Sequence, residues 1–173
     1  MAFEFTLTFR LPSEETDLDA LVDALGAAGC DDALVGLGHP GRIALEFIRE
    51  APTALEAILS GIRDVHAAVP SAVLIEAAPD YVGLSEIANF VSVSRQNLRK
   101  LSLAHSDTFP APVHAGSASI YHLCDVLEWL SRQVGYEIGH EIQEVAKANL
   151  QMNLSKELHM HRHAVDAALL HTT

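Results

Sequence analysis

The chain of 173 residues suffices for one or two small domains, and a composition of 49% hydrophobic and 20% charged residues excludes a disordered polypeptide. Its net charge of −12 argues against a protein that coats nucleic acid by charge alone. That charge is unevenly placed: residues 1–80 hold 4 Lys+Arg against 14 Asp+Glu, residues 81–133 hold 4 against 4, and residues 134–173 hold 3 against 5.

Phe3, Phe5, Leu7, Phe9 and Leu11 alternate with polar residues, which predicts a strand with one apolar face, ended by Pro12. Asp17 precedes Leu18, Leu21, Val22 and Leu25, a helical stripe closed by Gly29. Ala33, Val35 and Leu37, then Gly38-His39-Pro40-Gly41, then Ile43, Leu45 and Phe47 predict a hairpin with a four-residue turn. Thr53 starts a second helix carrying Leu55, Ile58, Leu59, Ile62, Val65 and Val69; Pro70 stops it, and Ala72 to Ile75 form a last short strand.

The order β-α-β-β-α-β over residues 3–77 is the ferredoxin-like plan, an antiparallel sheet of four strands with both helices on one face. RNA recognition on such a sheet needs aromatic side chains on its open face. Phe47 is in phase with Ile43 and Leu45, on the buried face, so this acidic half suits a protein or small-ligand interface better. Ala77-Ala78-Pro79-Asp80 reads as a short junction.

Leu84 to Leu101 contains two short helical patterns separated by a turn. Ser85 is the expected cap of the first. A helix-turn-helix needs a small residue where its helices cross and apolar residues around it. Ala88 stands at the fifth place from Leu84, with Ile87, Val91, Val93, Leu98 and Leu101 at the fourth, eighth, tenth, fifteenth and eighteenth. The ninth, usually glycine because the turn prefers positive φ, is Ser92. Ser94 is the expected cap of the second helix, of about residues 94–104, whose exposed face carries Arg95, Gln96, Asn97, Arg99 and Lys100. Arg pairs with guanine, Gln or Asn with adenine, and Lys with phosphate. An amphipathic helix pair of purely structural role remains open as the plainer alternative.

Phe109-Pro110-Ala111-Pro112-Val113 and Ser119-Ile120-Tyr121 follow as a small hairpin around Gly116, and then a helix with Leu123, Val126, Leu127, Trp129 and Leu130. With Ser85-Glu86-Ile87-Ala88, Val93-Ser94-Arg95 and Asp125 to Trp129, residues 81–133 resemble the winged helix-turn-helix of excisionase, AlpA-type and MerR-type regulators. The resemblance implies that Ser94 to Lys100 read double-stranded DNA while a wing near His114 to Ser119, His114 and Ser117 included, touches its backbone or minor groove. That family usually carries Arg or Lys in the wing, and here none is present.

Ile138, Ile142, Val145, Ala146, Leu150, Leu154, Leu158, Val165 and Leu169 keep near-helical spacing, which predicts one long helix, or two broken near Asn153-Leu154-Ser155. So long a stripe predicts a homodimer, with packing onto the chain's own sheet as the alternative. His159 and His163 stand a helical turn apart but lack the further ligands that a metal site needs.

Cys30 and Cys124 lie far apart and suggest neither zinc nor a disulfide framework. No cationic leader and no apolar run near 18 residues is visible, so a cytoplasmic location without a membrane partner is expected. No catalytic motif stands out and no cofactor is implied. The sequence therefore predicts an α+β protein: an acidic ferredoxin-like domain over 1–78, a winged helix-turn-helix over 79–134, and a C-terminal dimerisation helix or helix pair over 135–173. The function expected is that of a non-enzymatic transcription regulator; the alternative is an adaptor or antitoxin-like partner that binds DNA weakly. A protein partner would be met by the N-terminal domain.

Overall fold

A computed structural model describes residues 1–12 and 17–165. Among them the chain is mixed α+β, with six α-helices and two antiparallel sheets. In chain order the first part is β1 (Ala2–Arg10), α1 (Leu18–Ala27), β2 (Ala33–His39), β3 (Arg42–Glu50), α2 (Ala54–Ala68) and β4 (Val73–Ala78). Their sheet has the order β2-β3-β1-β4. The alternation read in β1 sends Phe3, Phe5, Leu7 and Phe9 into a core with Ile43, Leu45 and Phe47 of β3, because neighbouring side chains of a strand face opposite ways. Phe5 and Phe47 stack with ring centroids 5.1 Å apart.

Both helices cover that face. Asp17 caps α1 by accepting a hydrogen bond from the Ala20 N–H at 3.0 Å, and Thr53 caps α2 through the Glu56 N–H at 3.2 Å. The buried stripes are narrower than the spacing predicts. Leu21 and Leu25 are buried in α1, while Leu18 and Val22 are exposed; in α2 Ala54, Ala57, Ile58, Gly61 and Val65 face inward, while Leu55 and Leu59 do not. Small residues set this phase in α2. A Cβ on Gly61 would stand 3.3 Å from both Leu7 Cδ1 and Phe47 Cζ, so the helix lies too close to the sheet for a larger side chain there. The hairpin turn is tighter than expected: the strands run to His39 and from Arg42, which pair, leaving Pro40 and Gly41 between them, with Gly41 at φ +71°.

Arg49, at the end of β3, lies under this layer and is satisfied at every nitrogen. Its Nε and Nη2 donate to the two oxygens of Asp32 at 2.8 Å each, Nη1 donates to Asp64 Oδ2 at 2.7 Å and Ser60 Oγ at 3.0 Å, and Nη2 also donates to the Gly29 carbonyl at 2.7 Å. The guanidinium sits 4.7 Å from the Phe47 ring centroid. One buried cation thus joins the end of α1, the entry to β2, β3 and α2. Burial and the nearby Asp64 carboxylate push the Cys30 thiol up to about 11, so it stays protonated at neutral pH.

The second part is β5 (Tyr81–Val82), α3 (Leu84–Phe90), α4 (Arg95–Ala104), β6 (His114–Ala115), β7 (Ser119–His122), α5 (Leu123–Trp129), a π-turn (Leu130–Val134) and α6 (His140–His161). A three-stranded sheet, β5-β7-β6, accompanies the helices. The segment expected to be a short junction is itself part of the structure: Ala77 and Ala78 end β4 and Asp80 is fully buried, and directly after it Tyr81 and Val82 pair with His122 and Tyr121.

Helix α6 is unbroken through Asn153, Leu154 and Ser155 and packs on its own chain. The face turned inward differs from the leucine stripe: Val145, Ala146, Ala148, Asn149 and Asn153 are buried, whereas Leu154 and Leu158 are about half exposed. Asn153 explains the phase. Its Oδ1 accepts from the Ala77 N–H at 2.9 Å and its Nδ2 donates to the Ala77 carbonyl at 2.8 Å, as a neighbouring strand would. Lys156 donates to the Ile75 carbonyl. The helix therefore closes the outer edge of β4, which would otherwise present unpaired backbone groups to another chain. Val145 and Ala148 join the core of the first part and Ala146 that of the second. Leu169 lies outside the described residues, and among those described no helix is long and apolar enough to cross a membrane.

Candidate nucleic-acid interface

Helices α3 and α4 meet around a small core in which Ile87, Ala88 and Leu98 are buried and Val91, Val93 and Leu101 partly so. The α3 cap is Gly83, not Ser85, which is exposed: the Glu86 carboxylate accepts from the Gly83 N–H at 2.9 Å. The turn closes with the Val93 N–H donating to the Ala88 carbonyl at 2.9 Å, which requires the chain to reverse at Ser92. Ser92 accordingly takes φ +53°, the left-handed conformation for which glycine is the common choice at this place. Ser92→Gly is expected to raise stability by up to about 1 kcal/mol, and Ser92→Val to lower it by at least as much, because a β-branched side chain is disfavoured further in this region. Urea unfolding midpoints measure both; a destabilised glycine variant would contradict the strain.

Ser94 caps α4, its hydroxyl accepting from the Asn97 N–H at 3.1 Å, and Leu98 anchors the helix in the core. With Leu98 inward, Arg95, Gln96, Asn97, Arg99 and Lys100 are all exposed. Among the described residues none of these five side chains makes a hydrogen bond or an ion pair, and α4 contains no acidic residue. One helix therefore presents three uncompensated cations and two amides to solvent. The N-terminal N–H groups of α4 add partial positive charge at the same end.

The hairpin that follows is shorter than expected and placed later. His114 pairs with Ile120 and Ala115 with Ser119, and the Val113 N–H donates to the Ile120 carbonyl at 2.7 Å; residues 109–112 form no strand. Phe109 instead packs edge-on against Tyr121 and Trp129, and His105 against Trp129, an aromatic cluster joining the end of α4 to α5. His114 and Ser117 are exposed at the hairpin end. A Cβ on Gly116 would come within 2.6 Å of His114 Nε2, so a larger residue there would require the exposed imidazole to swing aside. No cation lies between Arg99-Lys100 and Arg132.

Asp80, His122 and Asn153 form a network that no local pattern announces. His122 donates from Nδ1 to Asp80 Oδ1 at 2.7 Å, Asn153 donates from Nδ2 to Asp80 Oδ2 at 2.8 Å, and the Leu123 N–H donates to the Asp80 carbonyl at 2.8 Å. Asn149 adds a bond from Nδ2 to the Pro79 carbonyl at 3.1 Å. The carboxylate pins β7, and with it the hairpin, to the edge of the first sheet and to α6. The sequence signal is slight: Asn149 and Asn153 stand one helical turn apart and in line with Val145.

His159 is exposed on α6 and His163 lies in the turn after it; among the described residues no group of three His, Cys, Asp or Glu side chains could hold a metal ion. No protein family, curated protein or solved structure matches the chain.

Proposed function

We propose that the chain is a sequence-specific, non-catalytic DNA-binding regulator of the cytoplasm, with a ferredoxin-like domain joined to a winged helix-turn-helix. The observation that carries this reading is the face of α4, on which Arg95, Gln96, Asn97, Arg99 and Lys100 are exposed and unpartnered among the described residues. The left-handed turn at Ser92, the Ser94 cap and the β5-β7-β6 sheet support the winged reading, and the strand order β2-β3-β1-β4 supports the ferredoxin-like one. Arg95 and Arg99 would contact base edges, Gln96 and Asn97 adenine, and Ser94 and Lys100 phosphates, with His114 and Ser117 beside the backbone.

With so few cations, one copy would bind weakly, and two copies reading two half-sites would supply the affinity. The exposed Leu154 and Leu158 of α6, one helical turn apart, are the surface on which such a homodimer would form. Selection from a randomised duplex library, followed by fluorescence anisotropy, tests the reading. Binding should weaken steeply with salt, by roughly 0.9 in log affinity per log unit of salt for each phosphate contact. Arg95→Ala with Arg99→Ala should weaken it by at least about 30-fold, at about 1–3 kcal/mol per base contact, while leaving circular dichroism unchanged. A folded double variant with undiminished affinity would make α4 a structural element.

The net charge of −12 and a hairpin without cations favour a second reading, an adaptor or antitoxin-like protein that meets a basic partner. Leu34 and Ile48, on the open face of the first sheet, would serve that contact. Co-purification of a basic protein, together with DNA binding no tighter than to random duplex, would favour it.

A further inference from the structure

The open face of the first sheet is overhung at one end. Glu4 of β1 and Glu46 of β3 point out of it, and over them stand Phe90, the last residue of α3, and Glu141 and Ile142 from the first turn of α6. The open cleft so formed has a volume of about 650 Å³, within the range of about 300–1,000 Å³ usual for small-molecule sites. Its walls are unequal in a way that selects a ligand. Apolar surface comes from Ile142 and from the ring of Phe90, which is 42% exposed although large aromatic side chains are ordinarily covered. Glu4, Glu46 and Glu141 have no ion-pair partner among the described residues, and no lysine, arginine or histidine lines the space.

A second cleft of 380 Å³ shares Ala78, Pro79 and Phe90 with the first and continues the same chemistry with Glu76 and Glu86, again without a cation. Burial, with the Asp80 carboxylate nearby and Lys156 opposing, pushes the Glu76 carboxyl above its ordinary range.

We infer that the cleft between the first sheet, α3 and α6 is a binding site for a small organic cation with an apolar body, a protonated amine or quaternary ion. The charge would sit among Glu4, Glu46 and Glu141, and the apolar part would lie against Ile142 and the face of Phe90, where a cation is also attracted by the ring quadrupole. An anion of equal size would meet three carboxylates and is rejected. The site stands whether or not α4 meets DNA.

Tetraphenylphosphonium and tetraphenylborate, equal in shape and opposite in charge, distinguish the chemistry in calorimetric titrations of the full chain. The phosphonium should bind with one-to-one stoichiometry, more weakly as salt is raised, and the borate should not bind. Phe90→Ala, and separately Glu46→Gln with Glu141→Gln, should each weaken phosphonium binding by at least about 10-fold with the far-ultraviolet circular dichroism retained. All three positions are surface-facing, so loss of fold is not the expected reason for loss of binding. Absence of phosphonium binding, equal binding of the borate, or wild-type affinity in both folded variants would overturn the site.

Discussion

Arg49→Ala is expected to lower the unfolding free energy by about 3 kcal/mol and the melting temperature by roughly 6–12 °C. Breaking a buried ion pair by removing one partner costs about 3–5 kcal/mol, because the other charge is left without compensation. Here the figure lies toward the lower end, since Arg49 is 9% exposed but Asp32 and Asp64 retain 30% and 29% exposure and would recover part of their hydration. The loss is more than electrostatic. The Gly29 carbonyl and the Ser60 hydroxyl also lose their donor, and the Phe47 ring loses the guanidinium that covers it.

Arg49→Lys separates these contributions: it keeps the charge but replaces a fork that reaches both oxygens of Asp32 at 2.8 Å by a single ammonium. It should recover less than half of the stability. Denaturant unfolding measures both variants; a loss below about 1 kcal/mol for alanine would show that the cation contributes no more than a surface pair.

Asn153→Ala should cost about 3 kcal/mol or more, with its effect concentrated at the α6–β4 contact. It leaves three partners unmatched: the Ala77 N–H, the Ala77 carbonyl and Asp80 Oδ2. Each buried polar group so orphaned costs roughly 1–3 kcal/mol, less where water can enter. Leucine at this position would fare no better, since it satisfies none of the three. Ser155→Ala, on the exposed side of the same helix, should change stability by less than about 0.5 kcal/mol.

Hydrogen exchange gives the regional readout. In Asn153→Ala the amides of β4 and of α6 from Val145 to Lys156 should lose protection together, and those of β2 and β3 should not. A cost equal to that of Ser155→Ala would mean that the edge of β4 is closed by something other than this amide. Opening that edge should also raise the tendency to aggregate, because an unpaired strand edge is a template for another chain.

The parts of this molecule that could be read from its residues are those whose cause is local. Period-two alternation from Phe3 to Leu11 determines a half-buried strand, because successive side chains face opposite ways whatever the strand pairs with. Asp17, Thr53 and Ser94 announce their helices because a cap and the N–H it satisfies lie within three residues. The exposed set on α4 is legible for the same reason: once Leu98 is the anchor, helical geometry alone carries Arg95, Gln96, Asn97, Arg99 and Lys100 outward.

Tertiary structure decided what depends on partners distant in the chain. Arg49 meets carboxylates 15 and 17 residues away, His122 meets one 42 residues away, and Asn153 meets one 73 residues away. No window of sequence holds both members of such a pair. The phase of α6 belongs here too: leucine spacing shows that a helix has an apolar side, but the free edge of β4 decided which side is buried, because backbone groups there need an amide and a hydrocarbon side chain cannot supply one.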